Sequence, residues 1–381
     1  MPSLRVLIDY RPALRSRSGA GEYTHELASA LLARSVADPT HPLAVTLFSS
    51  SWKDRLEKTP ELCGAARVDR RIPVALLNFL WHRLEWPAAE SLAHADFDLV
   101  HSSHPLLLPT RRAAQVITIH DLDFLAHPEH TRAEIRRDYP VLVRAHARRA
   151  DAVIVPSRFT AGEVTRRLEV PADRIAVCAP GAPDWAPRQR APRDGYILFL
   201  GTLEPRKNIG ALLDAYERLL ADPGVALPPL VLAGRAGAEA GDWLRRVAAP
   251  PLAGRVRHLG YVRPGDREAL YAGAALLVLP SLDEGFGLPV LEAMTTGVPV
   301  VAANRGALPE VLGGAGVLID PLDSADLAAG MRRVLCDEGF AEACRGHGLA
   351  RAGCYRWSET AARAHDAYTQ AVARRRALRS R

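Results

Sequence analysis

The stretch Ala275–Gly297, ALLVLPSLDEGFGLPVLEAMTTG, carries the signals on which the fold turns. Its first part, Ala275-Leu-Leu-Val-Leu-Pro280, is a short unbroken apolar run, the pattern of a strand buried on both faces of a parallel sheet. A helix interior would reject the two glycines and the proline that follow. Pro289 instead fits the first turn of a new helix, where a missing N–H does no harm, and Gly297 fits its end. The stretch therefore predicts strand, loop and helix, with the loop at the carboxyl edge of a sheet. Glu284 falls in that loop and Glu292 about one turn into the helix.

The residue types in this loop suit a particular chemistry. Glycines let backbone N–H groups approach a ligand closely. A helix N-terminus offers free N–H groups and partial positive charge, a natural seat for phosphate. A carboxylate can accept two hydroxyl hydrogen bonds at once. Glutamates on both sides of a phosphate seat suggest hydroxyl-rich groups at both ends of a diphosphate. A sugar nucleotide has that layout.

Outward from this stretch the chain alternates. Apolar, β-branched runs read as parallel strands at Arg5-VLIDY, Ala44-VTLFS, Asp98-LVHS, Gln115-VITIH, Ala152-VIVPS and Ile175-AVCAP. Glu22-YTHELASALLAR and Arg132-AEIRRDYPVLVRAHARRA have helical spacing between them. Gly181-APDWAPRQRAPRDG195, rich in Pro, Arg and Gly, reads as a linker. Alternation then restarts with Tyr196-ILFLG, a helix over Ile209–Leu220, Pro229-LVLAG, Val256-RHLGY, Ala275-LLVLP, the helix from Leu288, Pro299-VVAAN and Gly316-VLID. The expected fold is α/β, two doubly wound halves, with ligands at the carboxyl ends of the strands. A last amphipathic stretch from Ser358 is expected to pack back on the first half.

Composition narrows the classes. A chain of 381 residues exceeds one hydrophobic core, so two domains are expected. The net charge of +6 favours anionic partners. The basic residues are scattered and aromatics make up only 6%, which argues against a nucleic-acid-binding face. The exception is the tail Arg374–Arg381, read either as a frayed end or as a weak contact for anionic lipid. Five scattered cysteines form no metal or disulfide spacing and suit a reducing compartment. The N-terminal apolar run is too short for a signal peptide, and no run reaches a spanning length, so a cytoplasmic protein is expected. Residues 72–87 mix leucines and tryptophans with basic residues. They read either as a buried helix or as a face lying peripherally at the membrane surface.

In sequence, Glu284-GFGLPVL-Glu292 resembles the E-x7-E motif of retaining glycosyltransferase family four, which has the GT-B fold. The resemblance spans nearly the whole chain. It includes Ser18-GAGEYTHEL, Val116-ITIHDLDFLAHPE, Ala152-VIVPSRFT, Phe199-LGTLEPRKN and Thr296-GVPVVAAN. It implies an N-terminal acceptor-binding domain over 1–185, a nucleotide-sugar-binding domain over 186–357 and a crossing helix over 358–381. Glu284 would hydrogen-bond the donor hexose, beside backbone N–H groups of Gly285, Phe286 and Gly287. Leu288 N–H would meet the diphosphate and Glu292 the ribose diol. Arg206 and Lys207 would grip the diphosphate, and Gly19 would reach it from the first domain. His120 would sit by the transferred sugar. The nucleobase would lie near Gly234-Arg235 and Gly260-Tyr261-Val262.

Two positions depart from the family pattern. Thr202 stands where many members have arginine, which leaves Arg206 as the expected phosphate contact. Ser18 replaces the first of two adjacent glycines. The segments His101-SSHPLLLP and IHDLDFLAHPE look most like the mannosyltransferases of polysaccharide and O-antigen assembly. The expected donor is therefore GDP-mannose, with a UDP-sugar as the alternative, and the acceptor a glycan or lipid-linked glycan. No metal or other cofactor is expected, because the cation pair takes that role. The rival readings are a GT-B epimerase or hydrolase and a non-catalytic sugar-nucleotide-binding subunit. A nicotinamide oxidoreductase would need a third glycine after Gly19-Ala-Gly21, and the sequence lacks it.

Overall fold

The computed structural model describes residues 3–14, 17, 19–126, 133–192 and 194–380. Ser18, His127, Pro128, Glu129 and Arg132, which belong to motifs quoted above, lie outside the described residues, as does Arg193 of the linker. The chain divides into two compact units, Met1–Gly181 with Arg356–Arg381, and Ala182–Tyr355.

The first unit holds β1 (Leu4–Asp9), α1 (Ala20–Ala37), β2 (Leu43–Ser50), β3 (Ala66–Arg70), α2 (Val74–Leu84), α3 (Ala89–Ala93), β4 (Leu99–Ser102), β5 (Ala114–Thr118), α4 (Asp123–Ala126), α5 (Ala133–Arg149), β6 (Ala152–Val155), α6 (Arg158–Leu168) and β7 (Ile175–Val177). Its seven strands pair in the order β3-β2-β1-β4-β5-β6-β7, all parallel. Strands β4, β5 and β6 are buried along their whole length, as unbroken apolar runs predict. β3, with the sequence ARVDR, escaped the sequence reading because it is a half-exposed edge strand whose side chains are mostly polar. His120 does not end its strand: β5 stops at Thr118, and His120 lies in the loop beyond.

The second unit holds β8 (Tyr196–Leu200), α7 (Ile209–Leu220), β9 (Leu230–Ala233), α8 (Gly241–Val247), β10 (Val256–Gly260), α9 (Pro264–Ala272), β11 (Ala274–Leu279), α10 (Leu288–Thr296), β12 (Val300–Ala303), α11 (Leu308–Leu312), β13 (Val317–Ile319), α12 (Ser324–Cys336) and α13 (Glu338–Ala352). Its six strands run in the order β10-β9-β8-β11-β12-β13. Chain direction across the sheet reverses between β8 and β11. Loops leaving these two strands diverge and open a crevice at their carboxyl ends.

The last helix, α14 (Trp357–Arg379), belongs to the first unit and packs along α1 and across β4 to β7. Tyr368 on α14 meets His101 Nδ1 at 2.8 Å, and His101 Nε2 meets Thr118 Oγ1 at 2.7 Å. The chain crosses between units at Gly181/Ala182 and Tyr355/Arg356, a few residues before the bounds 185/186 and 357/358 that the resemblance implies. Packing explains the shift: a Cβ on Gly181 would meet Trp357 N at 2.2 Å, so both belong to one packed body. The linker is strapped down. Arg188 is buried, its N–H bonds Thr296 O at 3.1 Å, and its Nε bonds Gly297 O at 3.1 Å. Among the described residues the tail is not frayed, since α14 is helical to Arg379 and Arg374 bonds Asp173.

Six histidines of the first unit, His25, His82, His101, His120, His146 and His365, are held neutral near pH 7. Burial pushes His25 and His146 down to about 4, and His82 and His101 down to about 3. It lowers His120 and His365 as well. The unfolded chain takes up these protons near pH 6.5, the folded unit only well below that. Stability of the first unit is therefore full above about pH 6.5 and falls as pH drops from there toward 4. Calorimetry between pH 7 and 4.5 should resolve a transition of this unit that moves to lower temperature with uptake of several protons. A melting profile flat over that range would contradict it.

Candidate active site

The crevice between β8 and β11 is built by two loops that hold each other. After β8, Pro205–Lys207 form a 3-10 turn, and Asn208 takes a left-handed conformation (φ 57°) to start α7. The Asn208 amide donates to Pro280 O at 3.2 Å and Pro321 O at 2.7 Å. Leu282 N–H donates to Arg206 O at 2.7 Å. The loop after β11 is thereby fixed against the loop after β8.

On that frame the charges converge. Lys207 Nζ forms a buried ion pair with Glu284 Oε1, and Arg206 Nη1 lies 3.5 Å from Glu284 Oε2. Ser281 Oγ also donates to Glu284 Oε1, at 2.8 Å. Arg206 Nε is paired with Glu204 at 2.7 Å. Burial works to raise the Glu284 carboxyl, but the charges of Lys207 and Arg206 outweigh it and hold it below the usual range. Backbone packing fixes the position further. Gly306 (φ 60°) sits so close that a Cβ there would lie 2.7 Å from both Glu284 N and O. Ala307 N–H donates to Glu284 O at 2.9 Å.

Gly285, Phe286 and Gly287 continue the loop, all buried. Phe286 packs edge-on against Tyr355, centroids 5.6 Å apart. Gly287 (φ 99°) caps α10, and a Cβ there would strike Leu308 Cδ2 at 2.6 Å. Leu288 N–H opens the helix with no hydrogen-bond acceptor among the described residues. One turn on, buried Glu292 receives Arg267 at Oε1 and the Tyr271 hydroxyl at Oε2, the latter at 2.8 Å. Arg267 and Tyr271 come from one face of α9 at i,i+4. Burial, and then the charge of Glu292, push the Tyr271 phenol well above its usual range.

At the next strand ends, Gly234 N–H donates to Gly260 O at 2.7 Å, and a Cβ on Gly234 (φ 138°) would overlap Gly201 O. Arg235 stacks over the half-exposed Tyr261 ring at 4.7 Å, beside partly buried Val262. Gly19 and His120 lie in the first unit. Gly19 (φ 50°) caps α1 and accepts Tyr23 N–H at 3.0 Å. The Tyr23 ring meets His120 edge-on at 5.2 Å. Because Ser103 O, 3.3 Å from His120 Nε2, can only accept, the neutral imidazole carries its proton on Nε2 and presents Nδ1 as an acceptor.

The structure thus gathers Arg206, Lys207 and Glu284 in direct contact and sets Glu292 in a separate clamp. Ser281, Asn208, Arg267, Tyr271 and Gly306 were not singled out from the sequence. The i,i+4 spacing of Arg267 and Tyr271 on α9 was a readable signal, whereas the approach of Gly306 to Glu284 was not.

Two parallel-sheet, Rossmann-like units define a GT-B architecture. Residues 194–337 match the family described as Glycosyl transferases group 1, and residues 17–184 match Glycosyltransferase Family 4. The chain is 31% identical to the O-antigen chain mannosyltransferase B of Escherichia coli, over 96% of this chain and 99% of that one. It belongs to the family four, group 1 glycosyltransferases. Among solved structures it is similar to sucrose-phosphate synthase from Thermosynechococcus elongatus (TM-score 0.74, 22% identity, 96% of this chain and 98% of that one). It is also similar to Anabaena HepE in complex with UDP and glucose (TM-score 0.69, 18% identity, 95% and 98%).

The clamp on Glu292 gives a stability test. Arg267→Met leaves a buried carboxylate without its cation and should cost about 3–5 kcal/mol in urea unfolding. Arg267→Met/Glu292→Gln should regain most of that loss, because no buried charge then remains. Equal stability of wild type and Arg267→Met would remove the clamp.

Proposed function

We propose that the chain transfers mannose from GDP-mannose to a lipid-linked glycan, with retention at the anomeric carbon and without a metal ion. The observation that carries this reading is the buried contact of Lys207 and Arg206 with Glu284 at the switch point of the second unit. Glu284 Oε1 is occupied by Lys207 and Ser281, and Oε2 faces Arg206, at 3.5 Å. A carboxylate oxygen at that distance has room to accept a hexose hydroxyl. A diphosphate then takes Arg206, Lys207 and the Leu288 N–H as its partners. On Glu292, a ribose diol joins Arg267 and Tyr271. The choice of mannose rests on the similarity to the Escherichia coli O-antigen chain mannosyltransferase B.

In the transfer step the bond from the sugar C1 to the β-phosphate oxygen breaks. The acceptor oxygen bonds C1 from the same face, and its proton passes to the departing phosphate oxygen. The transition state is oxocarbenium-like, and Arg206, Lys207 and the α10 N-terminus stabilise the charge that grows on the leaving group. His120 donates through Nε2 to Ser103 O and leaves Nδ1 as an acceptor for a substrate hydroxyl. It orders the sugar and is not cast as the base.

A melting panel tests the donor. GDP-mannose should raise the melting temperature of the wild type and not that of Arg206→Ala. A shift with UDP-glucose instead would transfer the donor assignment to uridine, and NMR of an inverted product anomer would overturn the mechanism.

The lipid-linked acceptor places the first unit at a membrane surface. No helix among the described residues is long and apolar enough to cross a membrane. α2 nevertheless exposes Leu76, Phe79 and Leu84, each at least half exposed, next to Trp86 at 63%. Exposed Arg71 and Arg83 flank this face, which suits an anionic bilayer. Leu76→Ser/Phe79→Ser should cut binding to phosphatidylglycerol vesicles by at least about tenfold, given the apolar area removed. Undiminished co-sedimentation would take α2 out of the membrane contact.

A further inference from the structure

The first unit has a strongly basic concavity of its own, at the edge of its sheet opposite to His120. A cavity of about 440 Å³ lies where β1, β4 and β5 begin. Arg5, Arg111, Arg112, Arg375, Arg376 and Arg379 line it. Val372, Arg375, Arg376 and Arg379 fall at i, i+3, i+4 and i+7, so one face of the last turns of α14 closes over it. Three carboxylates share the lining: Glu90, Asp96 and Asp98. Six guanidinium groups against three carboxylates leave an excess of three positive charges.

The hydrogen bonds show which charges are already spent. Both oxygens of Glu90 accept the Arg111 backbone N–H, at 3.0 and 3.1 Å, which holds the Arg111-Arg112 loop open toward the cavity. Asp98 takes the backbone N–H of Arg5 at 3.0 Å and its Nε at 3.3 Å. Arg375 is tied to Asp151 at 2.7 Å, and Arg111 donates to Ser91 Oγ at 2.8 Å. The Arg112 and Arg379 guanidinium groups have no carboxylate partner among the described residues. Arg376 lies 3.9 Å from Asp98, Arg111 keeps its charge beside the neutral Ser91 hydroxyl, and the exposed Arg112 and Arg379 cations stand among these bonded residues.

We propose that this cavity binds a phosphate-bearing anion, held chiefly by Arg112 and Arg379 on a rim of Arg5, Arg111 and Arg375. Guanidinium groups present planar pairs of N–H donors that match phosphate oxygens, and converging ones select di- and polyanions over chloride. The same chemistry is offered by a free diphosphate and by the headgroup of an anionic phospholipid. The site is separate from the crevice around Glu284 and does not depend on the transferase reading.

The test uses the full chain carrying Arg206→Ala, so that the crevice after β8 does not report. Inorganic pyrophosphate and monomeric dihexanoylphosphatidylglycerol are titrated calorimetrically into this protein and into the same protein with Arg112→Gln/Arg379→Gln. Both glutamines replace exposed side chains, and the melting temperature checks that folding is unchanged. We expect at least one probe to bind with a salt-dependent affinity that falls about tenfold or more in the glutamine variant, since each lost charge-assisted contact is worth about that much. Pyrophosphate alone would name a soluble diphosphate as the ligand, and the lipid probe alone a membrane headgroup. Equal titrations with and without the two arginines, for both probes, would overturn the proposal and reduce the cluster to a solvated face.

Discussion

The buried pair between Lys207 and Glu284 is the interaction on which the second unit's chemistry depends. It joins the loop after β8 to the loop after β11, two strands adjacent in space but far apart in sequence. A charge buried without its partner costs several kcal/mol, so neither side chain can leave without the other. Arg206 and the Asn208 amide tie the same two loops together, and Ser281 braces Glu284 within its own loop. The result is a carboxylate held ionised beside two cations, before any substrate binds. Such preorganisation lets charges act on a reacting group without rearranging first.

Close backbone approach is the second constraint. Gly234 against Gly201, Gly287 against Leu308 and Gly306 against Glu284 each leave no room for a side chain. These contacts bring the loops at the carboxyl edge near enough to share hydrogen bonds. The Arg267–Glu292–Tyr271 clamp does the same work one helical turn deeper, with charge in place of proximity.

The first unit is stabilised differently. Its polar interior is a set of neutral histidines and phenols, such as Tyr368–His101–Thr118 and Tyr10–His25. These bonds tie α14 and α1 to the sheet while adding no buried charge. Buried charge is also present: Asp151 is paired with Arg375, and at Asp9 burial opposes ionisation but Arg11 and His104 hold the carboxylate well below its usual range. Arg11 also bonds Asn78 on α2 and stacks over Trp81, so the helix with the exposed apolar face is anchored to the end of β1.

The sequence by itself determined the two α/β halves, because buried parallel strands must be written as continuous apolar runs and helices as periodic ones. It also pointed to Arg206, Lys207, Glu284 and Glu292, because glycine, proline and charge at a strand end leave few local conformations. Half-exposed β3 stayed hidden, since an edge strand has no obligatory apolar pattern. Only the tertiary structure decided that Lys207 pairs with Glu284, that Arg267 and Tyr271 take Glu292, and that Gly306 closes on Glu284. Those contacts join residues up to 77 positions apart. Strand order sets them, and strand order is fixed by packing between elements, which no local pattern encodes.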